Sequence, residues 1–171
     1  MKELYDDVIK TFQELGNKQA NAMVICHSFG FNGFKRWHRR RAKKYDNIAI
    51  ALANELFDNF SKKASFAVMP CLYTAESMKE HLAAWNNCLE NTISYFVDIS
   101  KKFFELTGVI NCYIKKALKH LRKDREKIRR WYARFDSANW SVHDMHTVDD
   151  KIHAKEKKRE GKHAGKNINT Y

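Results

Sequence analysis

Residues Gly30 to Ala49 read G-F-N-G-F-K-R-W-H-R-R-R-A-K-K-Y-D-N-I-A, and this stretch divides two helical patterns. Upstream of it Tyr5, Val8, Phe12, Leu15, Ala22, Cys26 and Phe29 recur at steps of three and four residues, broken only by Gln19. That is the stripe of one amphipathic helix, and it ends near Gly30. Downstream a second stripe runs from about Phe31 to Ser61 through Phe34, Trp37, Tyr45, Ile48, Leu52, Leu56 and Phe60, with Arg41 as its one charged interruption. The opposite face of this second helix is strongly basic at its start.

Residues 62 to 73 lose the period and contain the only proline, so they read as a connection. Thr74 is the expected N-cap of a third helix, with Glu76 in its first turn where a carboxylate favours the exposed amides. The third stripe passes through Met78, Leu82, Trp85, Leu89, Phe96, Ile99 and Phe103 and stops at Thr107-Gly108. A fourth helix is expected over about Val109 to Phe135, through Tyr113, Ile114, Ala117, Leu118, Leu121, Ile128, Trp131 and Tyr132. Connections that run short, longer, short suit a four-helix bundle in which the middle one crosses the length of the bundle. At roughly 3.3 Å per residue the middle segment has to be extended to cover the ~40 Å of such a helix. An up-down-up-down bundle is the alternative that length leaves open. The bundle is expected over residues 1–140, and residues 141–171 as a short helix fraying into a mobile basic tail.

The chain has 171 residues with one proline and six glycines, which suits one all-α domain of long helices. Lys and Arg number 32 against 20 Asp and Glu, a formal charge of +12 that attracts polyanions and repels free cations. Cys26, Cys71, Cys88 and Cys112 lie far apart with no C-x-x-C pair. They read as buried free thiols in a reducing compartment rather than a disulfide framework or zinc site. The first 20 residues have no signal-peptide character and no run of 18 apolar residues follows, so a soluble cytoplasmic protein with no membrane partner is expected.

The turn within Gly30 to Ala49 resembles that of the ferritins, which reads roughly G-L-K-G-F, followed by an aromatic and a basic residue and then by an inward-facing Glu-x-x-His pair that holds iron. The resemblance covers residues 1 to about 135 and is most specific over Gly30 to Ala49. It implies an all-α, ferritin-like four-helix bundle with a basic C-terminal tail. Carried over residue by residue, it puts Phe12 at the first-helix Glu and Tyr45 and Ile48 at the Glu-x-x-His pair. The third-helix carboxylate falls near Cys88 or Leu89, and the fourth-helix position near Leu121. A shift of register could bring Glu14 into the first of these places, but the turn fixes Tyr45 and Ile48. The resemblance thus implies a non-catalytic subunit, iron storage in the family sense without its own ferroxidase centre. Iron is the cofactor it brings, and a homo-oligomer or co-assembly with other ferritin subunits is the partnership.

Other chemistry is sparse. His143 and His146, with Asp144, Asp149 and Asp150 nearby, sit at i and i+3 and are a weak candidate for a divalent metal. His27, His38, His81 and His120 are single histidines read as structural. No paired acid and base, nucleophile elbow or phosphate-cradling glycine loop is present, so no enzyme class has an anchor. Residues 35 to 44 hold seven Lys or Arg and no acid, and residues 115 to 130 hold nine against two acids. Lys35, Arg36, Arg39, Arg40, Lys43, Lys44, Lys119, Arg122 and Lys123 are therefore candidates for binding nucleic acid or another polyanion. Their alternative is a solvated face with snorkelling side chains. In ferritin shells the second and fourth helices face the cavity, so such a lining would favour phosphate over ferrous iron. A structural or interaction subunit without metal is the remaining alternative.

Overall fold

The computed structural model describes residues 2–64, 74–108 and 111–164, in five helices: α1 (Lys2–Ser28), α2 (Asn32–Phe60), α3 (Met78–Thr107), α4 (Cys112–Ser137) and α5 (Val142–Ala164). The turn after α1 is a Schellman stop. Gly30 takes φ +80°, the Phe31 amide reaches back to the Cys26 carbonyl at 2.8 Å, and the Gly30 amide to that of His27 at 3.0 Å. The same motif closes α4, with Asn139 in the left-handed position and the Trp140 amide on the Phe135 carbonyl. Gly108, at φ +67°, ends α3 as its place after the third stripe suggests.

α3 begins later than expected. Its N-cap is Ser77 and not Thr74: the Ser77 side chain accepts from the Glu80 amide, while the Glu80 carboxylate accepts from the Glu76 amide at 2.9 Å. α4 is capped by Asn111, whose side-chain oxygen takes the amides of Tyr113 and Ile114. The expected connection over 62–73 lies mostly outside the described residues, as does the end of the tail beyond 164.

Contacts along the helices give their directions. Tyr5 lies level with Glu55 and Gln19 with His38, so α1 and α2 are antiparallel. His38 meets His81, and Phe12 stacks between Tyr45 and Phe96, so α2 and α3 run parallel. Parallel neighbours in sequence require a connection that returns along the bundle, which decides against the up-down-up-down alternative. α4 runs back along α2 and α3, with Phe34 against Trp131 and Phe135 and Arg125 paired with Glu90. The core is a column of large side chains, among them Phe12, Phe34, Trp37, Tyr45, Trp85, Phe96 and Phe103.

The segment expected to be a short helix and tail is a 23-residue helix. α5 packs against the first half of α2, burying Met145, Val148 and Ile152. Its Asp149 carboxylate caps α2, whose own N-cap residue, Phe31, makes no side-chain cap. The amides of Gly33 and Phe34 donate to it at 2.9 and 2.7 Å. The helices approach so closely there that a Cβ on Gly33 would run into the Asp149 carbonyl oxygen.

Candidate functional site

Where the sequence places the ferritin ligand positions, the interior is filled. Phe12, Tyr45, Leu89 and Leu121 are fully buried, and Ile48 and Cys88 are half-buried against the same core. The Phe12 ring stacks on Phe96 at 4.7 Å and on Tyr45 at 6.2 Å. Burial first, and the nearby Asp124 next, push the Tyr45 phenol far up and keep it protonated. Asp124 belongs to another arrangement: its carboxylate pairs with the buried Arg41, at 2.5 Å from Nη2. The Arg41 guanidinium also lies over the Trp37 ring, 5.2 Å from its centre. Glu14 stays half-buried on α1.

About two turns along α2 from Tyr45, a different set of side chains meets. Cys26 from α1, His38 from α2 and His81 from α3 are all buried, with their ligand atoms within 4.8 Å of one another. His38 Nε2 and His81 Nε2 are 3.1 Å apart, and His81 Nε2 is 3.4 Å from Cys26 Sγ. Gln19, which breaks the α1 stripe, is buried here too, and its Oε1 lies 2.6 Å from His38 Nδ1. Trp37 and Trp85 rings flank His38 at 4.8 and 5.3 Å. Burial lowers the pKa of His81 to about 4. It lowers that of His38 well below the usual range, helped by His81 and Arg41. Both imidazoles are therefore neutral at pH 7, the form that can ligate a metal. Burial raises the Cys26 thiol, with Asp149 adding to it. In the sequence these histidines stand singly and Cys26 reads as a buried free thiol. The signal the sequence lacks is spatial, because the residues are widely separated in the chain and share only the inward faces of their helices.

The weak candidates on α5 do not converge in this way. His143 is exposed, and the His146 ring rests on Phe31 at 4.9 Å. Among the described residues Cys26, His38 and His81 are the one group of three or more such ligands so gathered. The cysteines differ in burial from expectation: Cys26 is buried, Cys88 half-buried and Cys112 exposed at the start of α4. Cys71 lies outside the described residues.

The basic residues of α2 divide. Arg36 pairs with Glu160 at 2.5 Å and Arg40 with Glu156, both acids from α5. Arg39 and Lys43 are exposed, and Lys35 and Lys44 half-buried. Burial, then Arg41, brings Lys44 down to about 8. On α4, Lys119, Arg122 and Lys123 are exposed. A groove of about 390 Å³ between α2, α4 and α5 was not anticipated. It is lined by Trp37 and Trp131 and by six cations, Lys127, Arg130, Arg134, Lys151, Lys155 and Arg159, with Glu156 as its one acid. Among the described residues no helix is long and apolar enough to cross a membrane.

No family model and no curated protein matches the chain. Solved structures do. An open-pore ferritin from the hyperthermophilic archaeon Archaeoglobus fulgidus aligns with a TM-score of 0.77 and 11% identity, over 90% of this chain and 94% of its own. A further structure of an open-pore ferritin from that organism gives 0.79 at 10% identity, over 90% and 95%. A humanized archaeal ferritin gives 0.77 at 10%, over 90% and 94%. With sequence identity so low and the helices superposing over nearly the whole of both chains, the fold of this protein is that of the ferritins.

Proposed function

We propose that this chain is a non-catalytic ferritin-like subunit, serving iron storage in the family sense without a ferroxidase centre of its own. The reading is supported by the burial of Phe12, Tyr45, Leu89 and Leu121, the positions to which the family resemblance carries its ligands, with Phe12 stacked against Tyr45 and Phe96. Two iron ions need hard oxygen and imidazole ligands from several helices, and close-packed apolar side chains leave neither the donors nor the space. Iron oxidation then falls to a partner subunit in a mixed assembly, or iron enters already oxidised. The test is aerobic oxidation of ferrous iron by the purified chain, followed by absorbance, with particle mass and iron content recorded by light scattering and elemental analysis. A shell-sized particle with no oxidation above the buffer rate supports the reading. Rapid oxidation by this chain alone, or a chain that assembles neither by itself nor when mixed with a ferritin subunit, overturns it.

A second reading, polyanion binding, is favoured by the groove between α4 and α5. Six cations offer charge to phosphates, and the half-buried Trp131 offers a face on which a base can stack. Burial and Arg41 depress the Lys127 pKa, a strain that an incoming anion would relieve. Single-stranded oligonucleotide binding that weakens steeply with salt, and weakens further in Arg130→Ala/Lys151→Ala, supports this reading. Binding unaltered by salt excludes it.

A further inference from the structure

We propose that Cys26, His38 and His81 form a nitrogen-nitrogen-sulfur site for one d10 metal ion, zinc(II) or copper(I), where the end of α1 meets the starts of α2 and α3. The inference is independent of the iron reading above.

Two of the three donor separations are close to the edges of a coordination sphere, and the third lies within 4.8 Å. Zinc bonds of about 2.0–2.1 Å to imidazole and 2.3 Å to thiolate give tetrahedral edges of roughly 3.3 Å between nitrogens and 3.6 Å from nitrogen to sulfur. The observed separations are 3.1 Å between the two Nε2 atoms and 3.4 Å from His81 Nε2 to Cys26 Sγ. Small rotations of the side chains would open a metal-sized space between them.

The outer shell points the same way. Gln19 Oε1 can only accept, so His38 carries its proton on Nδ1 and turns an Nε2 lone pair toward the other two ligands. Gln19 and Cys26 are seven residues apart on α1 and so lie on one face, one supplying a ligand and the other orienting its neighbour. Gln19 is itself fully buried, and its Nε2 has no hydrogen-bond partner. A buried polar group of this kind is costly where nothing compensates it.

The donor set selects the metal. It contains a thiol and two imidazoles and no oxygen, which suits zinc(II) and copper(I) and disfavours the hard ions that a carboxylate site gathers. Binding requires the thiol proton to leave, so each metal ion bound releases one proton from Cys26 as the metal–sulfur bond forms. His81 must carry its own proton on Nδ1. Copper(I) is satisfied by three ligands in the aromatic surroundings of Trp37 and Trp85, whereas zinc(II) would take a water as its fourth.

The test uses the full chain with Cys71, Cys88 and Cys112 changed to serine, so that Cys26 is its only thiol. Chelator-stripped protein is titrated with cobalt(II) as a spectroscopic substitute for zinc(II), and without oxygen with copper(I). Each ion is added both to folded protein and during refolding, so that a closed bundle does not hide the site. The expected result is one metal per chain, with a thiolate-to-cobalt charge-transfer band that zinc(II) abolishes, or tight copper(I) uptake without the cobalt spectrum. Cys26→Ala should remove the band and weaken binding at least ~10-fold, and Gln19→Ala should weaken it about 10-fold through the His38 orientation. Helical protein that takes up neither ion overturns the proposal, as does undiminished binding by a folded Cys26→Ala chain. If Cys26→Ala fails to fold, Cys26→Ser decides by the same criterion of a lost charge-transfer band.

Discussion

Gln19 and Arg41 interrupt the apolar stripes of α1 and α2, and both are buried with a partner on another helix. Gln19 meets His38, and Arg41 meets Asp124. A charge held in the interior is tolerable only while its counter-charge is present. Asp124→Asn should therefore destabilise the fold by about 3–5 kcal/mol, read from the shift of its urea midpoint at unchanged slope, because Arg41 stays buried with its counter-ion gone. The stripes showed where the interruptions fall but not what answers them. Asp124 sits within a run of cations on α4 and looks, in sequence, like one more surface charge. The histidines give a pH dependence whose sign is fixed. Burial places the folded-state pKa of His81 at about 4 and that of His38 also below the ordinary value of 6.5. Between those values the unfolded chain binds protons that the folded chain refuses. Their contribution is intact above pH 6.5 and is lost as pH falls from there toward 4. Chelator-treated protein should thus show a midpoint for urea unfolding that drops between pH 7 and pH 5, and less steeply in His81→Gln.

At the scale of elements, the contact between α2 and α5 carries the most information. The first amides of α2 are closed by Asp149, more than a hundred residues away in the chain. Gly33 is required there by proximity and not by its backbone angle, since a side chain would strike the Asp149 carbonyl. Gly33→Ala should lower the melting temperature by forcing α5 away, with a cost on the order of 1–3 kcal/mol from overpacking alone. Near-ultraviolet circular dichroism, which reports the packing of rings such as Phe34 and Trp131, should change with it. α3 offers a smaller and cleaner case. Ser77→Ala removes the cap and should cost about 1 kcal/mol, whereas Thr74→Ala should cost almost nothing, and thermal melts of the two variants separate them. The S-x-x-E pattern of Ser77-Met78-Lys79-Glu80 carries the capping-box signal, which Thr74 lacks. α5 was harder to read. Its buried Asp149 and Glu156 break the apolar period, so a packed helix looks polar until the facing amides and arginines of α2 are placed beside it.

For the whole molecule, the first four helices, the first turn and the all-α class were legible because periodicity and a glycine stop act locally. The direction of α3 was not, since chain length permits both a crossing and an adjacent connection. Its parallel course along α2 emerges only from interior pairs such as His38 with His81. The interior chemistry was hidden for the same reason. Tyr45 and Ile48 could be placed by counting from the turn, whereas the meeting of Cys26, His38 and His81 depends on the angular position of three separate helices. Charge behaves differently again. The net +12 was plain, yet two arginines from the most basic stretch are neutralised by Glu156 and Glu160, and a set of cations gathers instead around a groove partly made by α5.

The carboxylate of Asp149 reaches α2 from a helix synthesised more than a hundred residues later. While a ribosome is still building the chain, the start of α2 leaves the exit tunnel with its leading amides open and its arginines without their acids. Those groups wait until more than a hundred further residues have followed. The closing of the start of α2 is thus timed by α5, and a chain released before α5 emerges lacks that fastening.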